Sequence, residues 1–260
     1  MMKASIQELE LYRSVEPERS CSYVSGERAA LEYRFFKTLS AVQFGELLRR
    51  GWRRHGMHLF RPACPHCVKC RSIRVDVNQF RPSKSQRRVL NRNSHLCVEL
   101  HSATVTDDHI RVYNLWHAER EDARGWRANR TSAEDYASGF LSGQWGFDYE
   151  MRYLDPTAPP DRQLVGVSLV DIVPQGLSSI YFYYDPAWRP HSPGVFSALQ
   201  EIEFCKTQGL SHVYFGYWIQ ECQSMAYKNQ FRPYELLATF PRDNEEPTWR
   251  EERIATERPA

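Results

Sequence analysis

SSIYFYYDPAWRPHSPGVFSALQEIEFCKTQGLSHVYFGYW (178–218) holds two aromatic, β-rich runs on either side of an amphipathic stretch. The first run, 178–186, reads as a strand, and 212–218 reads as another. Between them, 193–209 places Val195, Leu199 and Ile202 on one face at helical spacing. Strand, crossover helix and strand in one sheet make the two strands parallel and the connection right-handed. A crevice then opens at their carboxyl ends, the usual ligand position in open α/β sheets. The loop AWRPHSPG delivers Ser192, Pro193 and Gly194 to the helix start, whose free N–H groups suit an anion. Tyr181, Tyr183, Tyr184, Tyr214, Tyr217 and Trp218 lie near the strand ends. About half must face the core, because strand side chains alternate, and the others line the crevice.

Working toward the amino terminus, FDYEMRYL (147–154) and QLVGVSLVDIV (163–173) are strands joined by the turn-forming DPTAPPD. With 178–186 they form a hairpin-linked trio. TDDHIRVYNLWHAEREDARG (106–125) is a helix with acids in its first turn, and SAEDYASGFL (132–141) opens on a Ser132–Asp135 capping box. Earlier, LEYRFFK (31–37) is a strand and SAVQFGELLRRGW (40–52) a helix capped by Ser40. RSIRVDV (71–77) alternates like a strand half-exposed to solvent, and SKSQRRVLNRN (83–93) is a short helix capped by Ser83. The expected class is α+β. Residues 1–100 form a smaller amino-terminal region, 101–241 a domain built on a mixed sheet with helices, and 242–260 a charged tail.

Net charge is only +2, but its distribution is lopsided. Leu47 to Arg92 holds thirteen Lys and Arg against one acid, Asp76, while the stretch after Pro241 is richer in Glu than in Arg. A basic segment of this kind suits a polyanion. On a helix, Lys84, Arg87, Arg88 and Arg92 share a face. That face fits nucleic-acid phosphates or the carboxylates of an acidic substrate. MAYKNQFRP (225–233) offers a second cationic pair, Lys228 and Arg232.

Cys64, Cys67 and Cys70 follow the spacing C-x2-C-x2-C, which lets a tight turn aim sulfurs at one ion. Cys21 is the best fourth ligand. A structural zinc is expected ahead of an iron–sulfur cluster, since the tandem ferredoxin spacing fails at Arg74. Three reduced thiols in a packed turn is the plainer reading. Cys97, Cys205 and Cys222 read as buried small hydrophobes. Seven cysteines are an odd number, and MMKASIQELELYRS lacks an apolar core. A cytoplasmic protein without a secretory leader is therefore expected. No uncharged apolar run approaches ~20 residues, so no membrane partner is expected.

Three stretches carry a resemblance. CSYVSGERAALEYR (21–34), FRPACPHCVKCRSIRVDVNQFRPSKSQRRVLNRN (60–93) and IYFYYDPAWRPHSPGVFSALQEIEFCK with VYFGYWIQECQSMAYKNQFRP (within 180–233) resemble the arginyl-tRNA–protein transferase family. The bacterial aspartate/glutamate leucyltransferase branch is the most similar. Ser25 stands where that family usually has Pro, and Glu27 is inserted between Gly26 and Arg28. The resemblance implies a GNAT-like carboxyl-terminal fold. It also implies transfer of leucine, less readily arginine, from aminoacyl-tRNA to proteins starting with Asp or Glu, marking them for degradation. No cofactor is needed for aminolysis of an activated ester. On this footing Tyr184, Asp185 and Tyr217 are the expected catalytic residues. Lys84, Arg87, Arg92, Ser192, Gly194, Lys228 and Arg232 are expected on tRNA. Arg28, Arg74, Arg81 and Arg88 are expected on the acceptor's carboxylate. Two other readings compete: an acyl-CoA-dependent N-acyltransferase, and a zinc-containing RNA-binding module without catalysis.

Overall fold

A computed structural model describes residues 6–125, 127–143 and 145–252. In chain order, helix α1 (Ile6–Leu9) leads into β1 (Glu10–Val15). A short ribbon of β2 (Arg19–Ser20) and β3 (Arg28–Ala29) follows, then β4 (Leu31–Phe36), helix α2 (Ala41–Arg49), β5 (Arg53–His55) and β6 (His58–Pro62). These strands form an antiparallel sheet in the order β1-β4-β6-β5. Helix α2 starts on a full capping box, Ser40 with Gln43, as its sequence predicts. Its buried Phe44, Leu47 and Leu48 join Phe36, Trp52 and Leu59 and close over Phe147, Val173 and Tyr214 of a second, larger sheet. Burial of that apolar cluster fixes the two sheets against each other.

The larger sheet takes β7 (Arg71–Asp76), β8 (Cys97–Ser102), β9 (Asp148–Leu154), β10 (Leu164–Val173), β11 (Gly176–Tyr184), β12 (His212–Trp218), β13 (Glu235–Leu237) and β14 (Trp249–Glu251). Its order is β14-β13-β7-β12-β11-β10-β9-β8. The hairpin trio β9-β10-β11 and the parallel partner β12 are as the sequence predicts. The helices are α3 (Lys84–Arg92), α4 (Asp107–Arg124), α5 (Ala133–Tyr136), α6 (Pro193–Thr207) and α7 (Gln223–Ala226). Alternation along β11 sends Tyr181 and Tyr183 toward Tyr113 of α4. Phe182 turns the other way, toward Tyr153 and Trp188, which also meet Phe196 of α6. The crossover helix α6 therefore covers the face opposite α4.

Two expectations change here. The strand at 71–77 is not half-solvated: β7 lies between β12 and β13, and Ile73 and Val75 are fully buried. Its polar positions alternate because Arg74 and Asp76 find partners on neighbouring strands and turns, not because water covers that side. The boundary expected near residue 100 is also crossed. The large sheet takes β7 from before it, β8 from across it and β14 from the expected charged tail. The tail's residues 253–260 lie outside the described residues. Among the described residues no helix is long and apolar enough to cross a membrane.

Candidate active site

The parallel pair is joined only at its start. Gly176, Leu177 and Ser178 of β11 pair with His212, Val213 and Tyr214 of β12, and no further. Just beyond, each strand has an irregularity against its other neighbour, at Leu169/Val170 in β10–β11 and at Tyr214/Gly216 in β12–β7. A bulge bends its strand and adds twist. Gly216 makes one of them, at φ +79°, a conformation that favours glycine. At the vertex the backbones come so close that a Cβ on Gly176 would lie 2.0 Å from the His212 carbonyl oxygen. From Ser179 and Phe215 onward the strands share no ladder bonds and part, and the gap between them is the candidate cleft.

Diverging strands lose ladder partners, and buried carbonyls need others. Arg53, at the start of β5 and 7% exposed, enters from the small sheet. It donates from Nη1 to Ser178 Oγ (3.0 Å) and the Tyr214 carbonyl (3.3 Å), and from Nη2 to the Ser179 carbonyl. On the β12 arm, Lys228 donates from Nζ to the Tyr217 carbonyl at 2.8 Å. Glu201 lies on the sheet side of α6, 1% exposed. Its Oε1 accepts from Ser168 Oγ (2.5 Å) and Ser179 Oγ (3.1 Å), while Oε2 has no partner among the described residues.

Arg53 acts on both of the other groups. Loss of water pushes the Glu201 carboxyl up to about 7, against the two hydroxyls and Arg53. Desolvation, then the like charge of Arg53, brings the Lys228 ammonium down to about 7. Desolvation also lowers Arg53, opposed by Tyr217, Asp171 and Glu201. A carboxyl and an amine that both titrate near neutrality, either side of one cleft, are groups suited to handling protons. Sequence reasoning missed Arg53 and Glu201. Arg53 gives no local sign. Glu201 does: it falls at buried helical phase with Ala198 and Cys205, where an acid is out of place.

The basic helix α3 lies along the rim. Its capping-box residue Gln86 donates to the Gln230 carbonyl (3.2 Å), at the end of the helical turn that follows α7. At the other end Asn93 donates to the His191 carbonyl (2.9 Å) and Arg92 to that of Pro190 (3.0 Å), in the turn that follows β11. Trp188 Nε1 donates to Asn93 Oδ1 at 2.7 Å. One helix thus bridges the turn that ends β11 and the segment that follows β12 and α7. Lys84, Arg87, Arg88 and Arg92 are exposed, as is Arg232 near the Gln230 end. Ser192, at φ 60°, opens α6 without a side-chain cap, and a Cβ on Gly194 would meet nothing within 4 Å. The expected tRNA-binding residues therefore gather on one rim, except Lys228, which lies inside the cleft.

The expected catalytic residues scatter more. Tyr184 ends β11, and its hydroxyl accepts from Arg120 Nη2 at 3.2 Å. Asp185 caps the following turn through Ala187 N (2.9 Å) and faces Arg111 at 3.7 Å. Tyr217 points to the small sheet, donating to the carbonyls of Gly51 (3.0 Å) and Phe60 (3.2 Å). The arginines expected on the acceptor do not converge. Arg28 pairs with Glu18, Arg74 with Glu235 at 2.6 Å, and Arg81 with its own turn carbonyls, while Arg88 is exposed on α3. Much of the basic run is neutralised by acids distant in sequence, including Asp171, Glu32 and Glu252. A linear charge count cannot register that.

Burial, then the charges of Cys64, Cys21, Cys67 and Cys222, push the Cys70 thiol up to about 12. The expected ligands are therefore neighbours, and Cys222 joins them instead of being a buried hydrophobe. Cys97 is exposed, because β8 is an edge strand. Among the described residues, however, no three His, Cys, Asp or Glu side chains gather as a metal ligand set. Cys21 accepts from Tyr23 N (3.4 Å), and Cys64 approaches the Ala30 carbonyl (3.6 Å). The thiols as they stand do not fit a metal, and no step below passes through one. The inserted Glu27 pairs with Lys69 at 3.0 Å, and Lys69 reaches Glu221 at 3.5 Å. The thiol loop is thereby held beside the end of β12.

Comparison with known proteins now places the chain. It belongs to the arginine-tRNA-protein transferase family, whose amino-terminal model matches residues 19–88 and whose carboxyl-terminal model matches 108–238. Among its relatives, one from Helicobacter hepaticus is 35% identical over 89% of this chain and 94% of its own. One from Campylobacter jejuni is 36% identical over 85% and 90%. One from Saccharophagus degradans is 36% identical over 89% and 95%. All three are named aspartate/glutamate leucyltransferase. Among solved structures, L-PGS from Bacillus licheniformis matches with a TM-score of 0.41 at 12% identity, over 65% of this chain and 47% of that one. A likeness of that size assigns no fold.

Proposed function

We propose that this protein is an aspartate/glutamate leucyltransferase, moving leucine from leucyl-tRNA to the α-amine of proteins that begin with Asp or Glu, as a step toward their degradation in the cytoplasm. The observation that carries the reading is the cleft between the diverging strands, holding groups that titrate near neutrality and edged by a cationic helix. A splayed parallel pair with its crossover helix is the arrangement that a GNAT-like acyltransferase uses. The names of the relatives support the donor and the acceptor.

The reaction is aminolysis of an ester. The acceptor nitrogen attacks the leucyl carbonyl carbon, a tetrahedral oxyanion forms, and the bond to the ribose oxygen breaks as the peptide bond is made. The ribose oxygen leaves as a hydroxyl, taking up a proton. An α-amine with a pKa near ~8 is partly neutral at pH 7 and must shed its proton in attack. We assign that proton to Glu201, reached through the Ser179 hydroxyl that already donates to it. Tyr184, its hydroxyl held by Arg120, is assigned to the oxyanion. Asp185 and Tyr217 then serve as a turn cap and a link between sheets. Phosphates of the acceptor stem are assigned to Lys84, Arg87, Arg88, Arg92 and Arg232, with the open start of α6. The spacing of Cys21, Cys64, Cys67 and Cys70 favours zinc while the placement of their thiols does not, and elemental analysis of the purified protein decides between the two.

The deciding assay supplies leucyl-tRNA, arginyl-tRNA and acyl-CoA separately with a peptide that begins with Asp. Labelled leucine on the peptide's amino terminus is expected. Transfer from acyl-CoA alone, or tRNA binding without transfer, would replace this reading with one of its two competitors.

A further inference from the structure

Arg53, which is buried, and Lys228, which is half-buried, differ from other cations held inside the fold among the described residues. Four cations of the basic segment that are at least half-buried hold acids: Arg54 holds Asp171, Arg61 holds Glu32, Arg71 holds Glu252 and Arg74 holds Glu235. Arg53 and Lys228 hold none among the described residues. Arg53 donates to one hydroxyl and two carbonyls, and Lys228 to one carbonyl and the Met225 sulfur. The nearest acid whose charge reaches Arg53 from the α6 side, Glu201, is engaged by two serines. Charges taken out of water without a counter-ion are costly and are normally paired. A cleft that holds two of them is built for an anion that arrives.

We propose that the first residue of the acceptor seats between β11 and β12 with its side-chain carboxylate on Arg53 and Lys228, and that these two side chains set the preference for Asp and Glu. This assignment rests on the transferase reading. A Cβ on Gly216 would stand 3.2 Å from Arg53 Nε and Cζ, so glycine there keeps any side chain off that edge of the guanidinium. A planar guanidinium edge matches a carboxylate. Position argues for the acceptor over the tRNA. The attacking amine and the acidic side chain belong to one residue, so the groups that read the carboxylate must lie in the reaction cleft. The cations that suit phosphates are on the outer rim.

The test is transfer by the full chain to matched peptides that begin with Asp, Glu, Asn or Gln, comparing wild type with Lys228→Met and Lys228→Arg. Lys228→Met should lower kcat/KM for Asp and Glu peptides by ~10-fold or more, mainly through KM. The Asp-to-Asn and Glu-to-Gln ratios of kcat/KM should fall with it while leucyl-tRNA affinity holds, and Lys228→Arg should restore both ratios. An unchanged Asp-to-Asn ratio with weakened leucyl-tRNA binding would overturn the assignment and place a phosphate at Lys228. A second arm uses wild-type protein only. The dipeptide Asp-Ala, and not Asn-Ala, should protect Lys228 from acylation when the modified protein is read by mass spectrometry; equal protection, or none, also overturns it. Wild type that transfers leucine to no peptide at all would instead refute the transferase reading.

Discussion

Replacing Glu201 by Gln should change the pH dependence of stability by a calculable amount. The Glu201 carboxyl is 1% exposed and its pKa is pushed up to about 7, from an ordinary value of 4.5. Below about 4.5 both folded and unfolded chains carry the proton. Between that value and 7 the unfolded chain releases it and the folded chain keeps it, so stability falls as pH rises. Above 7 the loss levels off. At ~1.4 kcal/mol per pKa unit the full loss is about 3.5 kcal/mol, of which about 2.5 kcal/mol falls between pH 5 and pH 8. Gln keeps an oxygen for Ser168 and Ser179 but does not titrate. Its buried amide adds a cost that does not vary with pH and cancels in the comparison. Urea unfolding of both proteins at pH 5, 6, 7 and 8 should show the variant gaining on wild type by about 2.5 kcal/mol across the series. Parallel curves, with a difference constant to within ~0.5 kcal/mol, would refute the claim that Glu201 is buried with too little compensation.

Other expectations follow from the same geometry. Arg54→Ala strips both Asp171 oxygens of their partner (3.1, 3.0 and 2.7 Å contacts) and leaves a buried carboxylate, costing about 3–5 kcal/mol in urea unfolding. Replacing Asp171 with Leu in that background should recover part of the loss. Gly216→Ala forces a side chain into φ +79° against the Arg53 guanidinium; calorimetry should show a cost of roughly 1–2 kcal/mol, and steady-state assays a larger fall in transfer than in stability. Ser83→Ala removes the α3 capping box at about 1 kcal/mol. Changing Lys84, Arg87 and Arg88 together to Gln should spare the melting temperature and lower the salt dependence of tRNA binding by about 2–3 in log–log slope, as measured by filter binding.

Local rules carried much of the fold. The caps at Ser40, Ser83, Ser132 and Thr106 act within three residues, so they are legible wherever the right pair of residues occurs. The crossover from β11 through α6 to β12 follows from element order and handedness, and the two strands do pair in parallel. The edge exposure of Cys97 and the nearness of Cys222 to the thiol loop were not legible, because each depends on which strand or loop lies alongside. The scattering of Arg28, Arg74 and Arg81 is the same failure seen from the charge side: a partner 161 residues away, as Glu235 is from Arg74, leaves no trace near the arginine.

The sequence by itself determined the elements, their order, the parallel pair and a cationic helix, because all of these are set by contacts between near neighbours and by chain handedness. Tertiary structure alone decided which cations are spent on internal acids and which stand unpaired in the cleft. Arg53 of the small sheet and Glu201 of the crossover helix meet there only because two sheets pack and two strands part, and burial, not composition, gives those side chains their chemistry.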